Sequence, residues 1–188
     1  MVLVKHAMPQ VDVDTPAPEW RLGPDGIAGA GALAERLLAA RYAPTKIVAS
    51  REPKAAETGS IIADRLGLPF AIVEGLHEHD RRAVGFLGTE AFAARMRDFF
   101  AHPDSVVFGG ESAAMALTRF AAAVDRVCAE QTGDVVIVSH GTVISLFVAT
   151  RARVDAAELW ALLGLPSYVS LELPAYRIAD LEATIPTA

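Results

Sequence analysis

Short apolar runs alternate along this chain with longer segments whose apolar positions repeat every three or four residues. The run VLV, Val2 to Val4, reads as a buried strand that leads into a loop rich in Pro and Asp, DVDTPAPEWRLGPDG. Ile27, Ala30, Ala34, Leu37 and Leu38 then follow a helical period, Pro44 closes that section, and KIVA reads as a second strand. Ser50 is expected to open a helix running to about Leu66, with Pro53 in its first turn and Gly67 as its stop. FAIV reads as a third, short strand. From Glu74 to Gly110 the pattern is less regular, although Phe92, Met96, Phe99 and Phe100 share one helical face. GGES starts a longer helix with Leu117, Phe120, Val124, Val127 and Cys128 on one stripe, and Gly133 ends it. DVVIVS is a continuous apolar run, as in a strand covered on both faces, and HGTVISLFVAT turns directly into a helix. A short helix around Ala156–Leu163 and a late strand, YVSLEL, complete the series.

This order predicts an α/β protein with a mainly parallel sheet. The 188 residues suit a single domain, 1–188, without repeats or a dividing linker. Apolar residues make up 52 %, yet no stretch approaches the ~20 residues of a membrane span. The chain does not open with a charged segment followed by an apolar one, so the expectation is no signal peptide, no membrane association and cytoplasmic residence. Cys128, the one cysteine, excludes an internal disulfide and a multi-thiolate metal site, and its apolar helical position suits an inert thiol. A net charge of −6 argues against nucleic acid as a partner but not against a small anion in a locally basic pocket.

Three of the strands end in polar residues. VLV ends in Lys5-His6, KIVA in Ser50-Arg51, and VVIV in Ser139-His140-Gly141. In open α/β sheets ligands bind in the crevice beyond the carboxyl ends of the strands, so the three ends are expected to converge. His140, Gly141 and Thr142 lie where a buried strand passes into a helix, whose unpaired N–H groups and dipole favour an anion. Two histidines, several cations and a helix N-terminus suggest a phosphate or another oxyanion. The plainer alternative is that His6 and His140 only cap strand ends.

These segments resemble the histidine phosphatase superfamily, whose fold is phosphoglycerate-mutase-like. LVKHAMP resembles its opening strand with Arg-His-Gly or Arg-His-Ala. ASREPKAAET is similar to its Ser and second Arg at a helix start, and IVSHGTVI to its later Ser-His-Gly. GESAAMALTR matches a further segment. The resemblance runs from Val2 to about Leu173, in motif order. It implies a three-layer α/β/α sandwich around a mainly parallel sheet, and a phosphatase that acts on a small phosphoester through a phosphohistidine. A phosphomutase is a variant of the same chemistry, although no signature of a mutase's substrate clamp is visible.

The resemblance makes His6 the nucleophile and His140 the second histidine that stabilises the transferring phosphoryl group. Lys5 and Lys54 stand where the family usually has two phosphate-binding arginines, and Glu78 matches the acid that often protonates the leaving oxygen. Gly141 and Thr142 would add backbone donors, and no metal or cofactor is implied. Lysine offers a compact point charge where arginine offers a planar fork, so the double replacement also allows a weak or inactive member that binds a phosphorylated ligand or a protein. Pro9 and Asp12 occupy the places of two further polar ligands, which leaves Gln10 as the nearest amide.

Arg51 and Arg81, with Arg82, are candidates for the pocket rim, or else solvated surface charge. Glu111 is a candidate contact, or simply starts its helix with Ser112. His77, His79 and Asp80 lack metal-ligand spacing and read as a polar surface loop, as does His102. Trp20 and Trp160 read as packing residues. Residues 74–110 are expected to form the lid that sets specificity, their phenylalanines serving as an apolar cover or as core. The physiological substrate and the oligomeric state are not legible.

Overall fold

The computed structural model describes residues 1–40 and 42–186. Among these, six strands form one mixed sheet in the order β3-β2-β4-β1-β5-β6. In chain order the elements are β1 (Val2–Lys5), α1 (Pro24–Ala39), β2 (Pro44–Ala49), α2 (Pro53–Leu66), β3 (Phe70–Ile72), α3 (Thr89–Ala101), α4 (Ala113–Ala129), β4 (Asp134–Ser139), α5 (Gly141–Ala152), α6 (Ala156–Leu162), β5 (Ser167–Glu172) and β6 (Arg177–Glu182). β1, β2, β3 and β4 run parallel, while β5 joins β1 antiparallel and β6 joins β5 antiparallel at the edge.

Side chains alternate across a strand, and here each face meets its own helices. Val2, Val4, Ile47, Ala49, Val136 and Val138 pack with Leu33 and Leu37 of α1 and Ile62 of α2. Leu3, Val48, Val135 and Ile137 face the other way, onto Phe99 of α3, Phe120 and Val124 of α4, and Phe147 of α5. Burial on both faces explains why β1, β4 and the Ile47–Ala49 half of β2 read as unbroken apolar runs. The result is the expected three-layer α/β/α sandwich.

Three local expectations need correction. Ile27 and Leu38 are exposed; α1 buries Ala30, Leu33, Ala34 and Leu37, with Gly26 on the same side because a side chain there would strike the Met8 carbonyl, 2.0 Å from an ideal Cβ. The second helix begins at Pro53 rather than Ser50, with Glu52 as its N-cap. β6 was not anticipated, because RIADLE is half charged and its residues are partly exposed at the sheet edge. No helix among the described residues is long and apolar enough to cross a membrane.

Candidate active site

Parallel pairing of β1 with β4 and of β4 with β2 brings three strand ends side by side, with Lys5 opposite Ser139 and Ala49 opposite Val138. The ladder continues one residue further on each side, through His6 N–H to the Ser139 carbonyl (3.0 Å) and Ser50 N–H to the Val138 carbonyl (2.9 Å). His6 and His140 therefore meet edge to face, ring centroids 5.1 Å apart.

The two rings are oriented by different partners. His6 Nδ1 lies 2.7 Å from the Ala7 carbonyl, which only accepts, so Nδ1 carries the proton and Nε2 keeps its lone pair. Ala7 N–H in turn donates to Thr58 Oγ1 (3.0 Å), tying this strand end to α2. His140 turns Nε2 to Ser50 Oγ, at 2.9 Å, with Glu52 Oε1 at 3.7 Å, while its buried Nδ1 has no partner. Burial pushes both histidines well below the usual imidazole range; for His6 the neighbouring His140 and Lys54 add to this, and for His140, Lys54 does. Both rings are neutral near pH 7.

Two carboxylates share the pocket with the cations. Glu78 Oε2 accepts the Thr142 N–H at the start of α5 (3.1 Å), Oε1 accepts the His79 N–H (2.8 Å), and Arg81 lies 3.5 Å away. Burial alone would raise this carboxyl, but Arg81 and the two N–H donors outweigh it and hold Glu78 at about 2. Glu78 thus already occupies the anion-binding end of α5. Glu52 Oε2 pairs with Lys54 Nζ at 2.6 Å, and its Oε1 accepts the Glu78 N–H at 2.8 Å. Lys54 also donates to the Ala17 carbonyl (2.8 Å), which fastens the loop after β1 across the site.

Lys5 Nζ donates to the Leu163 carbonyl at 2.6 Å and lies against the start of α5, where a Cβ on Gly141 would sit 3.0 Å from Lys5 Cε. Burial lowers its pKa, Arg81 adds to that, and Glu78 opposes it.

These groups form the inner end of one cavity of about 550 Å³, whose wall includes Lys5, His6, Lys54, Glu78, Arg81, His140, Gly141 and Thr142. Three expected contacts lie outside that wall. Gln10 is exposed, its N–H bonded to the Arg21 carbonyl in the loop that pairs Pro9 with Leu22. Arg51 points outward to Glu74 (3.2 Å) and lines a smaller neighbouring cleft. Glu111 is buried behind residues 77–80, held by Arg119 at 2.5 Å and accepting the Asp80 N–H at 3.0 Å.

His79 is buried rather than on the surface, with Nε2 on the Glu111 carbonyl at 2.9 Å and its ring against Phe99 and Phe108. The described residues contain no cluster of three or more His, Cys, Asp or Glu arranged to hold a metal. Trp20 and Trp160 both reach the cavity wall rather than serving packing alone. Glu52 was missed by the sequence reading. Its position midway between Ser50 and Lys54, in the same strand-to-helix turn, is the signal that could have found it.

No curated protein matches the chain. Among solved structures, one titled mycobacterial hydrolase 1 superposes with a TM-score of 0.76 at 22 % identity, covering 100 % of this chain and 98 % of its own. A mycobacterial glucosyl-3-phosphoglycerate phosphatase in complex with VO3 gives 0.76 at 22 %, covering 98 % of each chain. A phosphoserine phosphatase from Entamoeba histolytica, in complex with 3-phosphoglyceric acid, gives 0.73 at 17 %, covering 97 % and 96 %. At these identities the likeness shows a shared fold. The family model described as histidine phosphatase superfamily (branch 1) matches residues 1–178. The chain therefore belongs to the histidine phosphatase superfamily.

Proposed function

We propose that this protein is a phosphatase that hydrolyses a small phosphomonoester through a phosphohistidine on His6. The observation that carries this reading is the His6 ring, neutral and with its proton held on Nδ1 by Ala7, so that the lone pair of Nε2 is available for attack. Two of the structural neighbours are named as phosphatases, which supports the reaction class but not a substrate.

In the first step His6 Nε2 bonds to phosphorus as the ester P–O bond breaks. Its electron pair leaves on the alcohol oxygen, which takes a proton from Glu78. That proton enters with the substrate as its monoanion, since an approaching phosphoryl anion raises the proton affinity of a carboxylate otherwise held at about 2. In the second step water gives a proton to Glu78 as its oxygen bonds to phosphorus. The P–N bond breaks, its electrons return to Nε2, and inorganic phosphate leaves with the proton that Glu78 took from water, which restores the carboxylate. Lys5, Lys54, Arg81 and the N–H groups at the start of α5 balance the charge on the phosphoryl oxygens.

A second reading, a member that binds a phosphorylated ligand or a protein partner with little turnover, is favoured by one observation. Lys54 and the α5 terminus are already engaged by the molecule's own carboxylates, Glu52 and Glu78. Hydrolysis of p-nitrophenyl phosphate separates the two. The phosphatase reading expects steady release of p-nitrophenol that falls to background in His6→Ala. Equal release by both proteins would favour the binding module.

A further inference from the structure

The cavity extends well beyond the group of residues that would hold a phosphoryl group. Its volume, about 550 Å³, is that of a site for a whole small-molecule ligand. Beyond Arg81 its wall turns apolar, with Val13, Trp20, Phe86, Phe92, Phe108 and Trp160 among its side chains. Phe92 marks the change of character, since the Arg81 guanidinium lies 4.9 Å from its ring centroid while Phe108 and Trp160 are its aromatic neighbours.

Most polar side chains of this outer part are already committed elsewhere. The Trp20 indole N–H donates to the Asp12 and Thr15 carbonyls, both at 2.9 Å. The Thr15 hydroxyl donates to Asp12 Oδ2 at 2.7 Å. Arg82 is held in a fork by Asp80, at 3.1 Å to each oxygen. The remaining charged side chain, Asp14, is negative and exposed at the mouth, where it would repel a second anionic group. The side chains of this outer part therefore offer few free partners to the polar atoms of a sugar, an amino acid or a carboxylate, whereas a hydrocarbon group gains from contact with them.

We infer that the cavity selects phosphomonoesters of apolar alcohols, alkyl or aryl, whose hydrocarbon part lies among Trp20, Phe86, Phe92 and Trp160. The inference rests on the phosphatase reading for the phosphoryl end of the ligand, but its test is one of binding and needs no turnover. Isothermal titration compares n-hexylphosphonate with dihydroxypropylphosphonate, which carry the same anionic head on an apolar and on a polar chain. Burial of a methylene favours binding by roughly fourfold at most, so the hexyl compound is expected to bind at least about tenfold tighter. Phe86→Ser, at a side chain 55 % exposed and therefore not needed for folding, is expected to narrow that ratio. Equal affinities, tighter binding of the dihydroxypropyl compound, no binding of the hexyl compound, or a ratio unmoved by Phe86→Ser would each overturn the inference. The release of p-nitrophenol by the wild-type protein and by His6→Ala reads the phosphatase proposal separately, so each can fail without the other.

Discussion

At the scale of single residues, the pocket is defined by which groups are charged. Burial keeps His6 and His140 neutral, so the positive charge comes from Lys5, Lys54 and Arg81, set against Glu52 and Glu78. Glu52 is the residue whose role is easiest to isolate. Its carboxylate takes up the charge of Lys54 at 2.6 Å and stands 3.7 Å from His140 Nε2, where it opposes an incoming oxyanion. Glu52→Gln is expected to tighten inhibition by inorganic phosphate by roughly tenfold, the effect of ~1.4 kcal/mol. The same change removes the partner of a buried ammonium and is expected to lower stability by about 3 kcal/mol. Unchanged inhibition by phosphate would mean that Lys54 lies outside the field felt by the anion. The pairing also gives a physical setting for lysine at this position: a compact ammonium bonds one carboxylate oxygen and the Ala17 carbonyl together, without the fork of an arginine.

At the scale of elements, the site is a junction of three strand ends with one helix start. Glu78 lies in the irregular segment after β3 yet closes on α5 through the Thr142 N–H, 64 residues further along the chain. A proton donor placed there matters most when the leaving oxygen is basic. Glu78→Gln is therefore expected to lower kcat on an alkyl phosphate by on the order of 10²–10⁴ and on p-nitrophenyl phosphate much less. Steady-state rates on the two esters check this, and equal losses on both would remove Glu78 from proton transfer. Much of this junction was legible in the sequence, because parallel strands covered on both faces appear as apolar runs and their polar last residues stand out. Gln10 misled because its place was inferred from spacing, whereas the Pro9–Leu22 bridge turns it outward. Ile27 and Leu38 misled because α1 is apolar on most of its circumference, so a 3.6 period alone does not fix the buried face, which runs through Ala30, Leu33, Ala34 and Leu37. Glu52 and β6 escaped for a common reason: charged residues read as surface unless the partner that accepts their charge is known. Arg36 and Glu182 show this in β6, where an ion pair at 2.7 Å links the edge strand to α1.

At the scale of the whole molecule, the buried ionisable groups couple the pocket to stability. The unfolded chain takes up protons on His6 and His140 as pH falls through 6.5, whereas the native rings, held well below that value, do not. Glu78 acts in the same direction at lower pH. Its native carboxylate at about 2 stays ionised where the unfolded group, at 4.5, becomes protonated, which removes roughly 3 kcal/mol of stability as pH falls from above the higher value to below the lower. The urea midpoint is thus expected to fall steadily on acidification, and a midpoint flat from neutrality down to about pH 5 would contradict the burial of neutral histidines. The fold, the cavity and the proton inventory all serve one proposed event, transfer of a phosphoryl group to His6. The measurement that tests it most directly is intact-protein mass spectrometry after rapid alkaline quenching of a reaction with p-nitrophenyl phosphate. The account predicts an added mass of one phosphoryl group, stable in base, lost in acid and absent from His6→Ala. Turnover with no such adduct, or the same adduct in His6→Ala, would contradict it.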